Sequence, residues 1–280
     1  MDIAQRADQA GRQANSSEWM DHAVRAGLIA YGVVHLLIGW LALQLALGDR
    51  EGSPSSSGAL QQLAEQPFGQ VLVWLVAVGM FLLVVWRLLE AALGHQDQDG
   101  ADKIRKRASS AGKAVLYGAI GVSAIRVATG SGSSGGSGSS GGKSGTDSTT
   151  AKLMDLPAGQ AIVVVVGLAI IGYGVYQIAK AWTDKFAKEL DPEGKSGQSG
   201  SAYLLFGKVG YVAKGIAVGI VGALFVYAGF THEADKSGGL DQALYEVLDQ
   251  PFGPVLLGAI AIGIGCFGLF CFARARHLSR

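Results

Sequence analysis

Gln66-Pro67-Phe68-Gly69 recurs as Gln250-Pro251-Phe252-Gly253, and Pro157-Ala158-Gly159 is a degenerate third copy. Each copy follows a short segment with apolar residues at helical spacing and opens a long apolar run. Another apolar run lies upstream of each. One unit therefore repeats three times: apolar helix, outer loop, short amphipathic turn, Pro-x-Gly, apolar helix.

Six runs are predicted to span a membrane: 24–47, 71–93, 111–128, 159–182, 209–230 and 255–272. Each approaches or exceeds the ~18 to 20 apolar residues needed to cross a hydrocarbon core of ~30 Å. In lipid the backbone must satisfy its own hydrogen bonds, so these runs are helices. Ile162-Val163-Val164-Val165-Val166 would suggest a strand in water, but here length overrides that preference. The expected fold is all-α, a polytopic membrane protein of six transmembrane helices in three tandem hairpins. Two helices per unit restore the same side, so the copies are parallel repeats around a pseudo-threefold axis along the membrane normal. The chain divides into a polar tail (1–22), a first repeat (23–94), a linker (95–110) and a second repeat (111–182) with a Gly/Ser-rich outer loop (130–150). A second linker (183–206), a third repeat (207–276) and a short tail (277–280) follow.

Composition agrees. Only 16% of residues are charged, against about a quarter in soluble domains. The net charge of +1 gives no overall pull toward nucleic acid. The partners implied are the lipid bilayer and, open between them, a membrane-protein partner or a second copy. The first 21 residues lack an apolar core and a small-residue cleavage site, so the first run is expected to act as its own insertion signal. Cys266 and Cys271 stand about 500° apart on a helix, so they neither pair nor form a metal site, and no cofactor is implied.

Orientation follows from Lys and Arg. Lys103, Arg105, Lys106 and Arg107 follow the second helix; Lys185, Lys188, Lys195 and Lys208 follow the fourth; Arg274, Arg276 and Arg280 close the chain. The odd loops hold only Arg50, Lys143 with Lys152, and Lys236. Both termini and the even loops are therefore expected in the cytoplasm. The run Ser131–Gly142 reads as a flexible coil with nothing to bury.

The corner motif carries three expectations. Pro67, Pro157 and Pro251 should sit at or near the first turn of the following helix, where a missing N–H costs nothing. Gly69, Gly159 and Gly253 should let the chain turn into the membrane. The rings of Phe68 and Phe252 should bury against the first helix of their own repeat. Leu240, Ala243, Leu244, Val247 and Leu248 share one face before the third corner, with Asp241, Gln242, Glu246 and Asp249 opposite. Such segments are expected to lie at the outer interface.

The repeats align further. Tyr31-Gly32, Tyr117-Gly118 and Lys214-Gly215 match in the first helices; Trp86-Arg87, Tyr176-Gln177 and Phe270-Cys271 match in the second, with Glu90, Lys180 and Arg274 three residues on. Three tandem two-helix units with Arg25-x-Gly27, Gly207-Lys208-x-Gly210-Tyr211-x-x-Lys214-Gly215, Gln-Pro-Phe-Gly and Trp86-Arg87-x-x-Glu90-Ala91 resemble the bacterial membrane family called domain of unknown function 1206. The resemblance covers the chain from Val24 to Arg276. The middle copy departs from it, with Ala158 for Phe and a Gly/Ser insertion. It implies a multi-pass topology and a bacterial plasma-membrane location, and no activity.

Seven polar side chains are candidates for a site: His35, Tyr31, Arg87, Glu90, Lys180, Lys214 and Arg274. His35 lies about 16 Å into the first helix at 1.5 Å per residue, near mid-bilayer, where ionisable groups usually face the interior. It reads as a proton-relay group or axial ligand, or as a neutral ring hydrogen-bonded to a neighbouring helix. Tyr31 and Gly39 share its face, a candidate polar seam. Arg87 and Glu90 read as part of an ionic cluster with Lys180 and Arg274, or as an interfacial pair. Lys214 and Arg126 read as snorkelling chains. Gly215, Gly219 and Gly222, and Gly118 with Gly121, read as close helix contacts. No phosphate loop, metal-spaced His pair or nucleophile elbow is present, so no catalytic residue is assigned. Three functions stay open: a non-enzymatic structural or accessory membrane protein, for want of a convergent charged site; a small transporter or channel near the axis or His35; or lipid or quinone binding between repeats.

Overall fold

The computed structural model describes residues 18–49, 52–93, 101–130, 150–151, 154 and 158–278. Six long helices dominate: α1 (Glu18–Ala46), α3 (Gly69–Leu93), α4 (Ala101–Ala128), α5 (Gly159–Trp182), α6 (Gly197–Thr231) and α8 (Gly253–Arg276). Two short helices, α2 (Ser56–Ala64) and α7 (Leu240–Leu248), precede α3 and α8. All six long helices contain a stretch long and apolar enough to cross a membrane. Large apolar side chains on their outer faces stay uncovered, among them Leu75, Phe81, Val115, Val165, Val255 and Ile262. The chain is a polytopic membrane protein. Helix α6 begins well before the expected span; its 35 residues reach about 52 Å at 1.5 Å per residue, more than a bilayer core requires.

Neighbouring spans pack in chain order: α1 on α3, α3 on α4, α5 on α6, α6 on α8, and α8 back on α1. This order is compatible with three tandem hairpins about a common axis. Among the described residues, no comparable packing forms between α4 and α5. Glycine sets the closest crossings. A Cβ on Gly174 of α5 would stand 2.6 Å from the Gly215 carbonyl of α6, and one on Gly39 of α1 would stand 2.9 Å from the Ala261 carbonyl of α8. Real side chains do not tolerate such approaches, so these helices touch backbone to backbone. Gly215 and Gly222 serve such contacts, as expected. Gly118 and Gly121 do not: a Cβ would meet only Val84 at 3.9 Å and Met80 at 3.4 Å. The ring's two ends are distinct. Val24 and Leu28 of α1 cluster with Ala275 of α8 at the terminal end; α2 and α7 cap the far end.

The corners differ from expectation in each part of the motif. Helices α3 and α8 begin at Gly69 and Gly253, so Pro67 and Pro251 precede the helix rather than opening it. Pro254 takes the expected place at the start of α8. The Gly69 amide donates to Gln66 O at 2.7 Å and the Gly253 amide to Gln250 O at 2.7 Å, which closes a four-residue turn with Pro second. Phe68, Ala158 and Phe252 occupy the third place, and all three have φ +62. A type II turn puts a left-handed residue there, usually Gly. The glycine sits one place later for a different reason. A Cβ on Gly69 would lie 2.1 Å from Leu63 O, and one on Gly253 1.9 Å from Leu248 O. The Phe rings do not bury: Phe68 is 85% exposed and Phe252 82%. The motif is a backbone device, with its aromatic side chains turned outward. Pro157 lies outside the described residues, as does the segment 131–142.

The short helices pack inward. Leu60 and Leu244 are fully buried in the core cluster, so α2 and α7 plug the far end rather than floating at an interface. Asp241 and Gln242, expected on the solvated face of α7, are 5% and 6% exposed. Ser53 Oγ donates to Asp241 at 3.2 Å, joining the outer loop of the first repeat to that of the third. The second linker is folded rather than loose. Turns at Lys185–Glu189 and Glu193–Lys195 carry Phe186, fully buried, and Leu190 bridges antiparallel to Leu278.

Candidate functional site

A cavity lies toward the terminal end of the ring, where all six spanning helices and the second linker meet. It has about 40 Å³ of room for water-sized occupants, space for about three waters. Its wall brings repeat-equivalent positions together. Tyr31, Tyr117 and Lys214 line it from the first helices; Arg87, Gln177 and Cys271 line it from the second; Lys180 and Arg274 add the position three residues on. Helical periodicity accounts for the spacing within each helix: residues three or four apart, such as Arg87 and Glu90 or Gln177 and Lys180, share one face.

Glu189, at the end of the linker turn, is the hub. Lys180 Nζ donates to it at 2.5 Å, Arg274 Nη1 at 3.1 Å and the Tyr211 hydroxyl at 3.1 Å; Lys180 also reaches Tyr211 Oη at 2.9 Å. Burial pushes the Glu189 carboxyl upward, but the charges of Arg274 and Lys180 outweigh it and hold it down at about 2. It is a carboxylate at neutral pH.

The other cations are less well matched. Arg87 is 5% exposed. It pairs with Glu90 one turn on and its guanidinium lies 3.9 Å over the Trp86 ring, yet its buried Nε has no hydrogen-bond partner among the described residues. Lys214 donates to the Tyr31 hydroxyl at 2.5 Å and stands 4.0 Å over Phe267. It does not snorkel: the cavity holds it inside the ring. Among the described residues, neither Lys214 nor the lining residue Lys113 has a carboxylate within ion-pair distance. Arg87, Lys113, Lys180, Lys214 and Arg274 thus face Glu189 and Glu90, five cations against two carboxylates.

His35 is inside, 8% exposed, but it does not line the cavity. Its Nδ1 bonds the Tyr31 carbonyl of its own helix at 2.9 Å, not a neighbouring helix, and its ring packs against Tyr31 and Phe267. The expected polar seam is closed at Gly39, where α1 meets the backbone of α8. Arg126 is exposed at the far end of α4. Cys266 and Cys271 are both free thiols, and Cys271 is buried in the cavity wall.

Sequence reasoning missed Lys113, Tyr173, Glu189 and Tyr211. Glu189 carried no signal, because it belongs to a segment assigned to a linker. Lys113 did carry one: it lies four residues before Tyr117, where the other two repeats have Gly27 and Gly210. Asp191, Glu193 and His277 bring their ligand atoms within 4.8 Å of one another. This geometry is accounted for by local bonds, since Asp191 Oδ1 takes the Gly194 amide at 2.7 Å and His277 Nδ1 at 3.3 Å.

Comparisons agree with this threefold construction. The family described as Domain of Unknown Function (DUF1206) matches three times, over residues 26–94, 108–184 and 209–277. An uncharacterized protein of Bacillus subtilis (strain 168), YxxB, is 28% identical over 257 residues, covering 91% of this chain and 90% of its own. No solved structure matches.

Proposed function

This chain belongs to the DUF1206 family, and we propose that its central cavity binds a small oxyanion or a phosphate-bearing group. The observation that supports this is the charge imbalance inside the ring among the described residues: five cations, two carboxylates, and a buried Arg87 Nε without a partner. Buried charges are ordinarily paired, because an unpaired one costs several kcal/mol of desolvation. An anion with several acceptor oxygens supplies the missing partners, and Arg in particular matches phosphate geometry. The small volume suits one tetrahedral oxyanion rather than a large organic substrate. The purely structural reading rested on the lack of a convergent charged site, and that reason no longer holds.

A continuous channel is the less favoured reading. Beyond the cavity, Val34, Ile38, Leu41, Met80, Leu257 and Ile260 fill the far half of the ring. A carrier that alternates its access remains consistent with this wall, with the site reached from the terminal end. By the Lys/Arg bias that end faces the cytoplasm of a bacterial plasma membrane. A membrane-impermeant maleimide on intact cells then modifies Ser139→Cys and spares Ser196→Cys; the opposite pattern reverses the orientation.

The test of binding uses purified full-length protein in detergent. Inorganic phosphate should raise the melting temperature in a saturable way that chloride at equal ionic strength does not reproduce. Arg87→Met should weaken the phosphate response at least tenfold. No response to phosphate, with the protein folded, rejects the site. Phosphate flux into liposomes, if present and lost in the same variant, makes the protein a carrier; binding without flux makes it a receptor-like or accessory protein.

A further inference from the structure

We propose that the anion is carried by a lipid: a phosphate headgroup enters the cavity sideways, through the seam between α4 and α5, while its acyl chains stay in the bilayer. This rests on the anion-binding reading above and adds the source and the route.

The seam is a built difference, not a general looseness. In the first repeat, a Cβ on Gly27 of α1 would lie 2.3 Å from Leu83 Cγ and 2.7 Å from the Gly79 carbonyl of α3. In the third, a Cβ on Gly210 of α6 would lie 2.6 Å from the Phe267 backbone of α8. Glycine at this position lets the two helices of a repeat close against each other. The middle repeat has Lys113 there, with Tyr173 at the position equivalent to Leu83 and Phe267. Both Lys113 and Tyr173 line the cavity. A long cation and a tyrosine replace a glycine contact, and among the described residues α4 and α5 lack the close packing of the other neighbouring spans.

Side chains rather than backbone therefore separate the cavity from the bilayer at this seam. Leu116 faces both ways: it lines the cavity and is 47% exposed. Val115 of α4 and Val175 of α5 continue the outward apolar surface. Lys113 stands four residues into the span that starts at Ser109, about 6 Å deep at 1.5 Å per residue, the depth of the headgroup–acyl boundary. A soluble anion has no use for an apolar side entrance at that depth. An amphiphile does: its phosphate meets Lys113 and the partnerless Arg87 Nε, and its chains lie along the seam. The cavity is large enough for the phosphate and too small for the chains, which fixes the lipid's orientation.

The experiment uses full-length protein, delipidated in detergent and then offered either inorganic phosphate or dioleoyl phosphatidic acid, with dioleoyl phosphatidylcholine as control. Native mass spectrometry counts bound lipid, and thermal unfolding reports phosphate. The wild type should retain phosphatidic acid at least tenfold better than phosphatidylcholine. Val175→Trp, which adds bulk to the lipid face of the seam at a residue that does not line the cavity, should remove that preference and leave the phosphate response within twofold of wild type. Lys113→Gly, which restores the glycine of the other repeats, should fold at least as stably and also lose the lipid preference. A phosphate response without any preference for phosphatidic acid overturns the lipid inference and leaves the anion site standing. Preferential lipid binding that Val175→Trp and Lys113→Gly both leave intact overturns the seam as the route. Neither phosphate nor phosphatidic acid binding overturns both readings together.

Discussion

Lys214 donates a hydrogen bond to the Tyr31 hydroxyl across 2.5 Å, although the two residues lie 183 positions apart in the chain. They are counterparts in the first helices of the third and first repeats. A duplicated position has thus become a donor in one copy and an acceptor in another, and the bond spans the ring between them. The ammonium also rests over the Phe267 ring at 4.0 Å, a contact of about 1–2 kcal/mol when desolvated. These neutral partners keep Lys214 in place without cancelling its charge.

Lys214→Met therefore separates structure from function. Lys214 has no carboxylate at ion-pair distance among the described residues, so an apolar chain of similar length removes an uncompensated buried charge at the cost of one hydrogen bond to Tyr31. Thermal unfolding in phosphate-free buffer should show an unchanged or higher midpoint. The phosphate-induced shift should fall at least tenfold in apparent affinity. A large loss of stability without phosphate would mean that the lysine is a structural tie instead.

Glu189→Gln should move stability and binding in opposite directions. The variant strips Lys180 and Arg274 of their shared counter-charge. Breaking a buried pair from one side costs about 3–5 kcal/mol; the lower end applies here, because the carboxylate keeps 19% exposure. Phosphate affinity should rise, by about tenfold for each ~1.4 kcal/mol of repulsion removed. Denaturation with and without phosphate reads both effects on one sample.

The same carboxylate sets an acid limb to stability. Its ordinary value of 4.5 falls to about 2 in the folded protein. The unfolded chain thus takes up the proton first, and the contribution is complete above about 4.5 and lost as pH falls through about 2. Melting midpoints in detergent should drop across that window in the wild type. In Glu189→Gln the drop should be visibly shallower.

At the third corner, Gly253→Ala should be far more damaging than Phe252→Ala. The alanine Cβ would have to displace the Leu248 carbonyl from 1.9 Å, whereas the Phe252 ring is 82% exposed and contributes little packing. Phe252→Gly should be neutral or slightly stabilising, since a left-handed residue with a side chain carries about 1–2 kcal/mol of strain. Thermal unfolding ranks the three; a severe Phe252→Ala would restore a packing role for the ring.

Much of the fold was legible because lipid leaves few options. Long apolar runs, a repeated corner and the return of each unit to the same side are enough to lay out six spans. The roles within the corner were not legible, because positive φ at Phe68 and Phe252 contradicts the usual preference for glycine, and no side-chain pattern announces it. The site was half legible. Alignment of the repeats set Lys180 and Arg274 at one shared offset, Arg87 one turn before it, and Lys214 at the tyrosine position of the first helices. Glu189 escaped because its position depends on how the linker folds back, with Phe186 as its anchor, a tertiary fact. Lys214 misled because lysine near a helix end usually reaches for water, and here a tyrosine and two rings hold it inside.

The left-handed residue at Phe68, Ala158 and Phe252 has a further consequence for how such a chain diversifies. The side chain is phenylalanine in two copies and alanine in the third, while the torsion is +62 in all three. What the duplications handed down at this point is an angle, and letters are its variable dress. Further copies of this hairpin in other chains should therefore be sought by a shared geometric signature: a lone left-handed residue wedged between a short helix and a long one, whatever its chemistry.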